Sequence, residues 1–310
     1  MQFVIIGGGI AGTTCAQELR KLNADAQITI LEQEPHRLYS KVLLARYVTG
    51  ELERERLFLK TEDWYTANNI ELITEIRVES IDTINKHVAI SDGREIPYDK
   101  LLIASGQEPR LVEDSLPGIV YFRTLDDAET LKALINKLNT KPAEERRMII
   151  VGGSFISMEF LHICQKLQIP ATVVLRSGGF WSKVLSDESQ AIVLNKARAL
   201  GAQIYTNSDF SLLESKEFSG IKLSDGTEIR GAILAVGIGL ESDLFWVSDC
   251  GLEADKGIVC DSHLQTSDLN IFTAGDIAQF DDIICERKHQ IVNWTNAIEQ
   301  GRATASAMAG

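Results

Sequence analysis

MQFVIIGGGIAG, Met1 to Gly12, opens the chain with an apolar run that breaks into glycines at 7, 9 and 12. Met1–Ile6 reads as a short buried strand, the glycines as a tight loop, and the residues from Ala11 to Leu22 as a helix. QITILE, Gln27 to Glu32, then reads as a second strand. Together these make a βαβ unit with GxGxxG in its first turn and an acid, Glu32, twenty residues past the last glycine, the pattern of a dinucleotide site. Gly7 permits the turn, Gly9 lets the backbone approach a pyrophosphate, and Gly12 lets helix and strand pack closely. Free N–H groups and the helix dipole favour the phosphates, and Glu32 would accept from ribose hydroxyls while repelling a 2′-phosphate.

A second copy begins about 145 residues later. MIIVGGSFISMEF, 148–160, is again strand, turn and helix, and ATVVLR, Ala171 to Arg176, matches QITILE position for position. Here Ser154 and Ser157 replace the second and third glycines. Ser154 puts a Cβ where the pyrophosphate approaches, with a hydroxyl able to donate to phosphate, so weaker cofactor binding is expected. Ser157 carries a packing cost of about 1 kcal/mol at worst. Gly152 keeps the turn. Arg176 ends the second strand where an NADH site would show an acid; it can meet a 2′-phosphate bidentately, with Lys183 near in sequence, which favours NADPH slightly over NADH.

The stretches HVAISDGREIPYDKLLIASG, 87–106, and IKLSDGTEIRGAILAVGIG, 221–239, are also alike. Each has a strand, an Asp-Gly turn at Asp92-Gly93 or Asp225-Gly226, a return strand and an apolar strand ending in glycine. LQTSDLNIFTAGDIAQF, 264–280, adds an apolar strand with Asp276 behind its glycine, and NAIEQGRATASAMA, 296–309, reads as a closing helix.

At 310 residues and 45% hydrophobic content the chain has the length of about two domains. A net charge of -13 argues against nucleic acid as a partner. No apolar run approaches a membrane span and the start lacks a signal peptide's features, so the cytoplasm is the expected compartment. Cys15, Cys164, Cys250, Cys260 and Cys285 form no CxxC or CxxxxC pair and read as core residues; the five histidines form no HxH or HExxH, so no metal site is expected.

The ordered series GGGIAG, LLIASG, VGGSFISME, LAVGIG and FTAGDIA resembles the two-dinucleotide flavoprotein reductases of the pyridine nucleotide-disulfide oxidoreductase superfamily. YSKVLLARYVTGE, FRTLDDAETL and NWTNAIEQGRA are similar to its branch of rubredoxin reductases, ferredoxin reductases and nitrite-reductase flavin domains. The resemblance implies an α/β fold of two Rossmann-like, glutathione-reductase-like three-layer domains. The FAD-binding domain would take 1–112 and 240–310, and the NAD(P)H-binding domain 113–239. For FAD it implies Gly7, Gly9, Ile10, Ala11 and Gly12 at the pyrophosphate and Glu32 at the ribose. Val78 would lie by the adenine, with Ala104, Ser105, Gly106 and Arg123 also in contact; Asp276 would meet the ribityl chain and Trp294 would flank the ring. For NAD(P)H it implies Gly152, Gly153, Ser154, Phe155, Ile156, Glu159, Arg176 and Gly237. Lys41 would be a catalytic cation beside the flavin, paired with Glu159 near the nicotinamide.

The family chemistry is hydride transfer from NAD(P)H to flavin N5. Leu43 and Leu44 stand where the persulfide and coenzyme A branches place a cysteine, so a thiol relay is not expected. The expected acceptor is a small redox protein such as rubredoxin or ferredoxin, with Arg37, Lys41, Arg46, Arg54, Arg56 and Lys60 as candidate docking cations. Two alternatives remain at this point: an NAD(P)H oxidase or quinone-type reductase, and a flavin-binding subunit whose nicotinamide site no longer works. Relatives in the branch continue into a further domain that builds a dimer interface, so the chain reads either as a fragment or as a minimal two-domain reductase, with its oligomeric state open.

Overall fold

The structure, a computed structural model, describes residues 1–112, 116–284 and 286–310, without the Ser248 side chain. The expected boundary at 113 and the Cys285 assignment lie outside the described residues. Two compact units emerge: Met1–Ser40 with Phe58–Glu108 and Glu241–Gly310, and Lys41–Leu57 with Pro109–Leu240.

In the first unit five parallel strands stand in the order Ile271–Thr273, Lys100–Ile103, Gln2–Ile6, Gln27–Leu31, Ile70–Ile73. The strand that opens the chain is central, and its unbroken apolar character follows from burial on both faces. Phe3 and Ile5 pack with Cys15 and Leu19 of helix Ile10–Leu22 and with Ala305 and Met308 of helix Trp294–Ala309. Val4 and Ile6, one residue out of phase, join Ile81, Val88 and Ile90 of the antiparallel sheet Val78–Asp82, His87–Ile90, Glu95–Pro97. Period-two alternation thus yields three layers.

Arg20 closes the first βαβ unit. Its guanidinium donates to the carbonyls of Asn68 (2.8 Å), Asn23 (3.2 Å), Ala24 (2.6 Å), Ala26 (2.7 Å) and Asn69 (2.8 Å). All five guanidinium protons are therefore spent on backbone oxygens that follow the C-terminal ends of two helices, Ile10–Leu22 and Glu62–Ala67, where a cation is also favoured by the dipole.

The second unit repeats the plan. Its parallel strands run Gln203–Tyr205, Ala171–Val174, Met148–Val151, Ile233–Val236, Ile119–Val120. Ile149, Val151, Leu234 and Val236 face Ile221, Leu223 and Ile229 of the antiparallel sheet Phe210–Leu212, Gly220–Leu223, Glu228–Arg230. Gly93 and Gly226 turn the two hairpins at φ +85° and +89°, conformations open to glycine.

Residues 41–57, counted with the first unit on sequence, cluster with the second. The short helix Leu44–Val48 buries Leu44, Ala45 and Val48 and packs against helices Leu125–Lys137 and Phe155–Leu167. Arg54 meets Glu129 at 2.7 Å and Lys166 meets Glu51 at 2.9 Å. An apolar face this small needs a ready-made surface, and in this fold the second unit supplies it.

Candidate functional site

The first phosphate loop is shaped by what its glycines lack. Gly7 has φ +104°, and a Cβ there would lie 2.3 Å from the Ala104 carbonyl oxygen; one on Gly12 would lie 2.0 Å from the Gly7 carbonyl oxygen. The helix is therefore seated hard against the turn. Gly9, by contrast, has nothing within 4 Å of an added Cβ. It borders open space in front of a helix whose first-turn N–H groups, including those of Ile10 and Ala11, have no intrahelical partner. That cradle fits a pyrophosphate.

Other elements converge at the same strand ends. Glu32 is oriented by two backbone donors: its Oε2 accepts from Gly8 at 2.6 Å and its Oε1 from Glu34 at 2.8 Å. Ala104 closes on Ile6, its N–H reaching the Ile6 carbonyl at 2.8 Å; Ser105 is exposed and Gly106 turns the chain at φ +76°. Asp276 sits in the turn Gly275–Ile277, and a Cβ on Gly275 would stand 3.2 Å from the Ala11 Cβ. The glycine loop, Ala104 and the Asp276 turn are thus brought together at the carboxyl ends of adjacent strands, the usual place for a ligand on such a sheet. Val78 begins its strand half-buried against the core, and Trp294, also half-buried, begins the last helix.

The second loop keeps the turn. Gly152 has φ +101°, and a Cβ there would lie 2.2 Å from the Gly237 carbonyl oxygen, as Gly7 relates to Ala104. Ser154 is the N-cap of helix Phe155–Leu167, yet its side chain caps nothing. Its hydroxyl is buried and has no hydrogen-bond partner among the described residues. An orphaned hydroxyl at a helix N-terminus fits an anionic ligand there. Ser157 is fully buried, its Oγ a long 3.5 Å from the Gly237 carbonyl oxygen. A Cβ on Gly237 would lie 2.4 Å from that Oγ. The side chain gained on the helix is accommodated by one lost from the facing strand: Gly12 and Ala104 of the first loop become Ser157 and Gly237. Sequence reasoning missed this exchange, although LAVGIG against LLIASG carried the signal.

Two aromatic residues that the sequence reading did not single out also border this loop. Phe180 lies close behind Gly153, whose added Cβ would be 3.2 Å from its Cα, and the Trp181 N–H donates to the Gly153 carbonyl at 3.0 Å. The Trp181 ring stands 5.0 Å from that of Phe155, which is 75% exposed. Ile156 is half-buried in the first turn. Glu159 remains accessible to solvent, yet surrounding protein desolvates its carboxyl and raises its pKa, opposed by the charge of His162. No ion pair joins Glu159 to Lys41 among the described residues. Lys41 opens the turn Lys41–Leu43, and it and Arg123 belong to the second unit while the other residues assigned to FAD lie in the first. The Arg123 N–H is fixed by Asp127 Oδ2 at 2.8 Å.

Arg176 is exposed and 3.6 Å from Asp209; Lys183 is exposed. Of the candidate docking cations, Arg37 and Lys60 lie in the first unit and Lys41, Arg46, Arg54 and Arg56 in the second. Arg37, Arg46 and Arg54 are within ion-pair distance of Glu62, Glu51 and Glu129, which lowers their net positive charge. Cys15, Cys164 and Cys260 are buried and Cys250 half-buried; burial raises all four thiols, Cys164 and Cys260 to about 12. Neutral thiols of this kind are poor nucleophiles. Among the described residues no group of side chains could hold a metal ion, and no helix is long and apolar enough to cross a membrane.

Two phosphate cradles, with the described thiols buried or half-buried, are the arrangement expected of an oxidoreductase that uses a flavin and a pyridine nucleotide. Residues 1–301 match the family described as pyridine nucleotide-disulphide oxidoreductase, and the chain belongs to it. It is an FAD-dependent NAD(P)H oxidoreductase. Among the chains it is similar to is the 3-phenylpropionate/cinnamic acid dioxygenase ferredoxin–NAD(+) reductase component of Photorhabdus laumondii, 30% identical over 99% of this chain and 77% of that protein. Another is rubredoxin–NAD(+) reductase of Pseudomonas putida, 27% identical over 100% and 80%. The crystal structure of the covalent putidaredoxin reductase–putidaredoxin complex superimposes with a TM-score of 0.93 at 28% identity, covering 99% of this chain and 75% of that one.

Proposed function

We propose that the chain moves electrons from NADH through FAD to a small redox protein of the rubredoxin or ferredoxin type. The observation that carries this reading is the doubled phosphate cradle in a chain whose described thiols are held protonated by burial. Bound FAD would supply an acceptor for the nicotinamide hydride and a donor of electrons to the redox protein. In this reading 1–40, 58–108 and 241–310 bind FAD: the Gly7–Gly12 loop donates backbone N–H groups to the pyrophosphate, Glu32 accepts from the ribose, and Asp276 accepts from the ribityl hydroxyls. The second unit binds the nicotinamide dinucleotide at Gly152–Ile156. Glu159 orients the nicotinamide end.

The nicotinamide preference shifts from the NADPH expected on Arg176 to NADH. Asp209, 3.6 Å from Arg176, competes with a 2′-phosphate for that guanidinium, and the two reductases compared by sequence are named for NAD(+). Rubredoxin, ferredoxin and putidaredoxin appear in the names of such relatives, and Arg56, exposed and without a carboxylate in ion-pair range among the described residues, is the cation best placed to contribute to docking.

Anaerobic titration with NADH and NADPH, following loss of flavin absorbance, tests the donor; stopped-flow reoxidation by ferredoxin, rubredoxin, quinone and oxygen tests the acceptor. Faster bleaching by NADH and reoxidation fastest with an iron–sulfur or rubredoxin protein are expected. Bleaching by dithionite alone would replace this reading with that of a flavin subunit reduced by another protein.

A further inference from the structure

The turn that presents Asp276 is held from both sides by glutamine amides outside the glycine motifs. Gln300, on helix Trp294–Ala309 and only 7% exposed, accepts the Gly275 N–H on its Oε1 at 2.7 Å. The backbone donor settles which end of the amide faces the turn. The helix carrying Gln300 is itself seated without slack: a Cβ on the next residue, Gly301, would lie 2.4 Å from the Ala11 carbonyl oxygen. Thr304 Oγ1 donates to the Gln300 carbonyl at 2.7 Å. From the other side, Gln290 Nε2 donates to the Asp276 carbonyl at 3.3 Å. Room for that amide exists because residue 257 is glycine, where a Cβ would lie 2.3 Å from Gln290 Nε2. Between these two bonds Gly275 adopts φ +82°, a left-handed turn.

We propose that Gln300 and Gln290 are positioning residues that lock the Gly275–Asp276 turn, so that the Asp276 carboxylate is presented to the ribityl chain of FAD in one orientation. This rests on the assignment of Asp276 to FAD made above. Without the Gln300 acceptor the Gly275 N–H is left unpaired in a buried setting, and the turn relaxes until it finds another partner. Asp276 then samples orientations that do not bind.

The test uses the full chain stripped of flavin, titrated with FAD by fluorescence, and the midpoint potential of the reconstituted flavin. Gln300→Leu is expected to weaken FAD about tenfold and to shift the potential, and Gln290→Leu to weaken it about threefold. Asp276→Ala should weaken FAD by itself, and adding Gln300→Leu to it should cause little further loss, because the glutamine acts through the aspartate. Full additivity, or an unchanged affinity and potential in both glutamine variants, overturns the proposal while leaving the flavin site standing. If Gln300→Leu does not fold, Gln290→Leu alone decides on the same criteria. An Asp276→Ala variant that binds FAD like the parent removes the assignment of Asp276, and the proposal with it.

Discussion

In the first phosphate loop the room for close packing is taken out of the helix, at Gly12; in the second it is taken out of the facing strand, at Gly237. Both loops keep the left-handed glycine that makes the turn, at Gly7 and Gly152. The third position of the motif can therefore carry a side chain where the facing strand gives up its own, as Gly237 does for Ser157. The second glycine is different. Gly9 faces open space, whereas Ser154 holds a buried hydroxyl that nothing in the described protein satisfies, so that change leaves a polar atom for a ligand to meet.

The largest effect should come from forcing the first loop toward the second. Gly12→Ala, whose Cβ would lie 2.0 Å from the Gly7 carbonyl oxygen, is expected to cost on the order of 3 kcal/mol and to deplete bound FAD, measured by denaturant unfolding and flavin content. A cost well under 1 kcal/mol would show that the helix seat is elastic and that the comparison is wrong.

The two helices also end differently. Arg20→Ala, which removes all five guanidinium bonds to backbone carbonyls, should cost about 2–4 kcal/mol. The second helix has Gln168 in a left-handed cap at φ +56°, and Gln168→Gly should stabilise the chain by about 0.5–1 kcal/mol. The sign reversal between the two variants in thermal unfolding sharpens the contrast.

Gly237→Ala should cost about 1–2 kcal/mol because its Cβ meets Ser157 Oγ, and Ser157→Gly in the same chain should recover most of that loss. Additive effects would sever the link between the two positions. The smallest effect concerns Glu159. Its pKa is raised in the folded chain, so the protonated form is the one the fold favours; that contribution is full below the unfolded value and is lost as pH rises through the folded one. Glu159→Gln should accordingly raise Tm at pH 7, with the gain vanishing below about pH 4. A gain that persists in acid would point to packing instead of charge.

Both βαβ units and both Asp-Gly hairpins were legible in the sequence because each depends on neighbours along the chain: apolar periodicity, a glycine at a left-handed turn, an acid or base ending a strand. The local geometry of the candidate site was legible to the same depth: the turns at Gly7 and Gly152, the acid Glu32 at a strand end and the glycine turn before Asp276. Features that depend on distant segments were not. Leu44, Ala45 and Val48 look equally apolar whichever unit they cover, and their membership of the second unit depends on surfaces formed by residues some eighty to a hundred and twenty positions later. No ion pair between Glu159 and Lys41 is seen among the described residues; opposite charges on a sequence carry no distance.

By itself, then, the amino-acid order determined that this chain would build two nucleotide-binding α/β units and that its thiols stood too far apart in sequence for a local redox pair. Tertiary structure decided how each unit fills its contacts: Gly237 making space for Ser157, Phe180 and Trp181 lining the second loop, Gln300 and Gln290 holding the Asp276 turn. Local rules act over a few residues and can be read in order. Contacts at van der Waals range between segments far apart in the chain exist only once the sheet has set their distance.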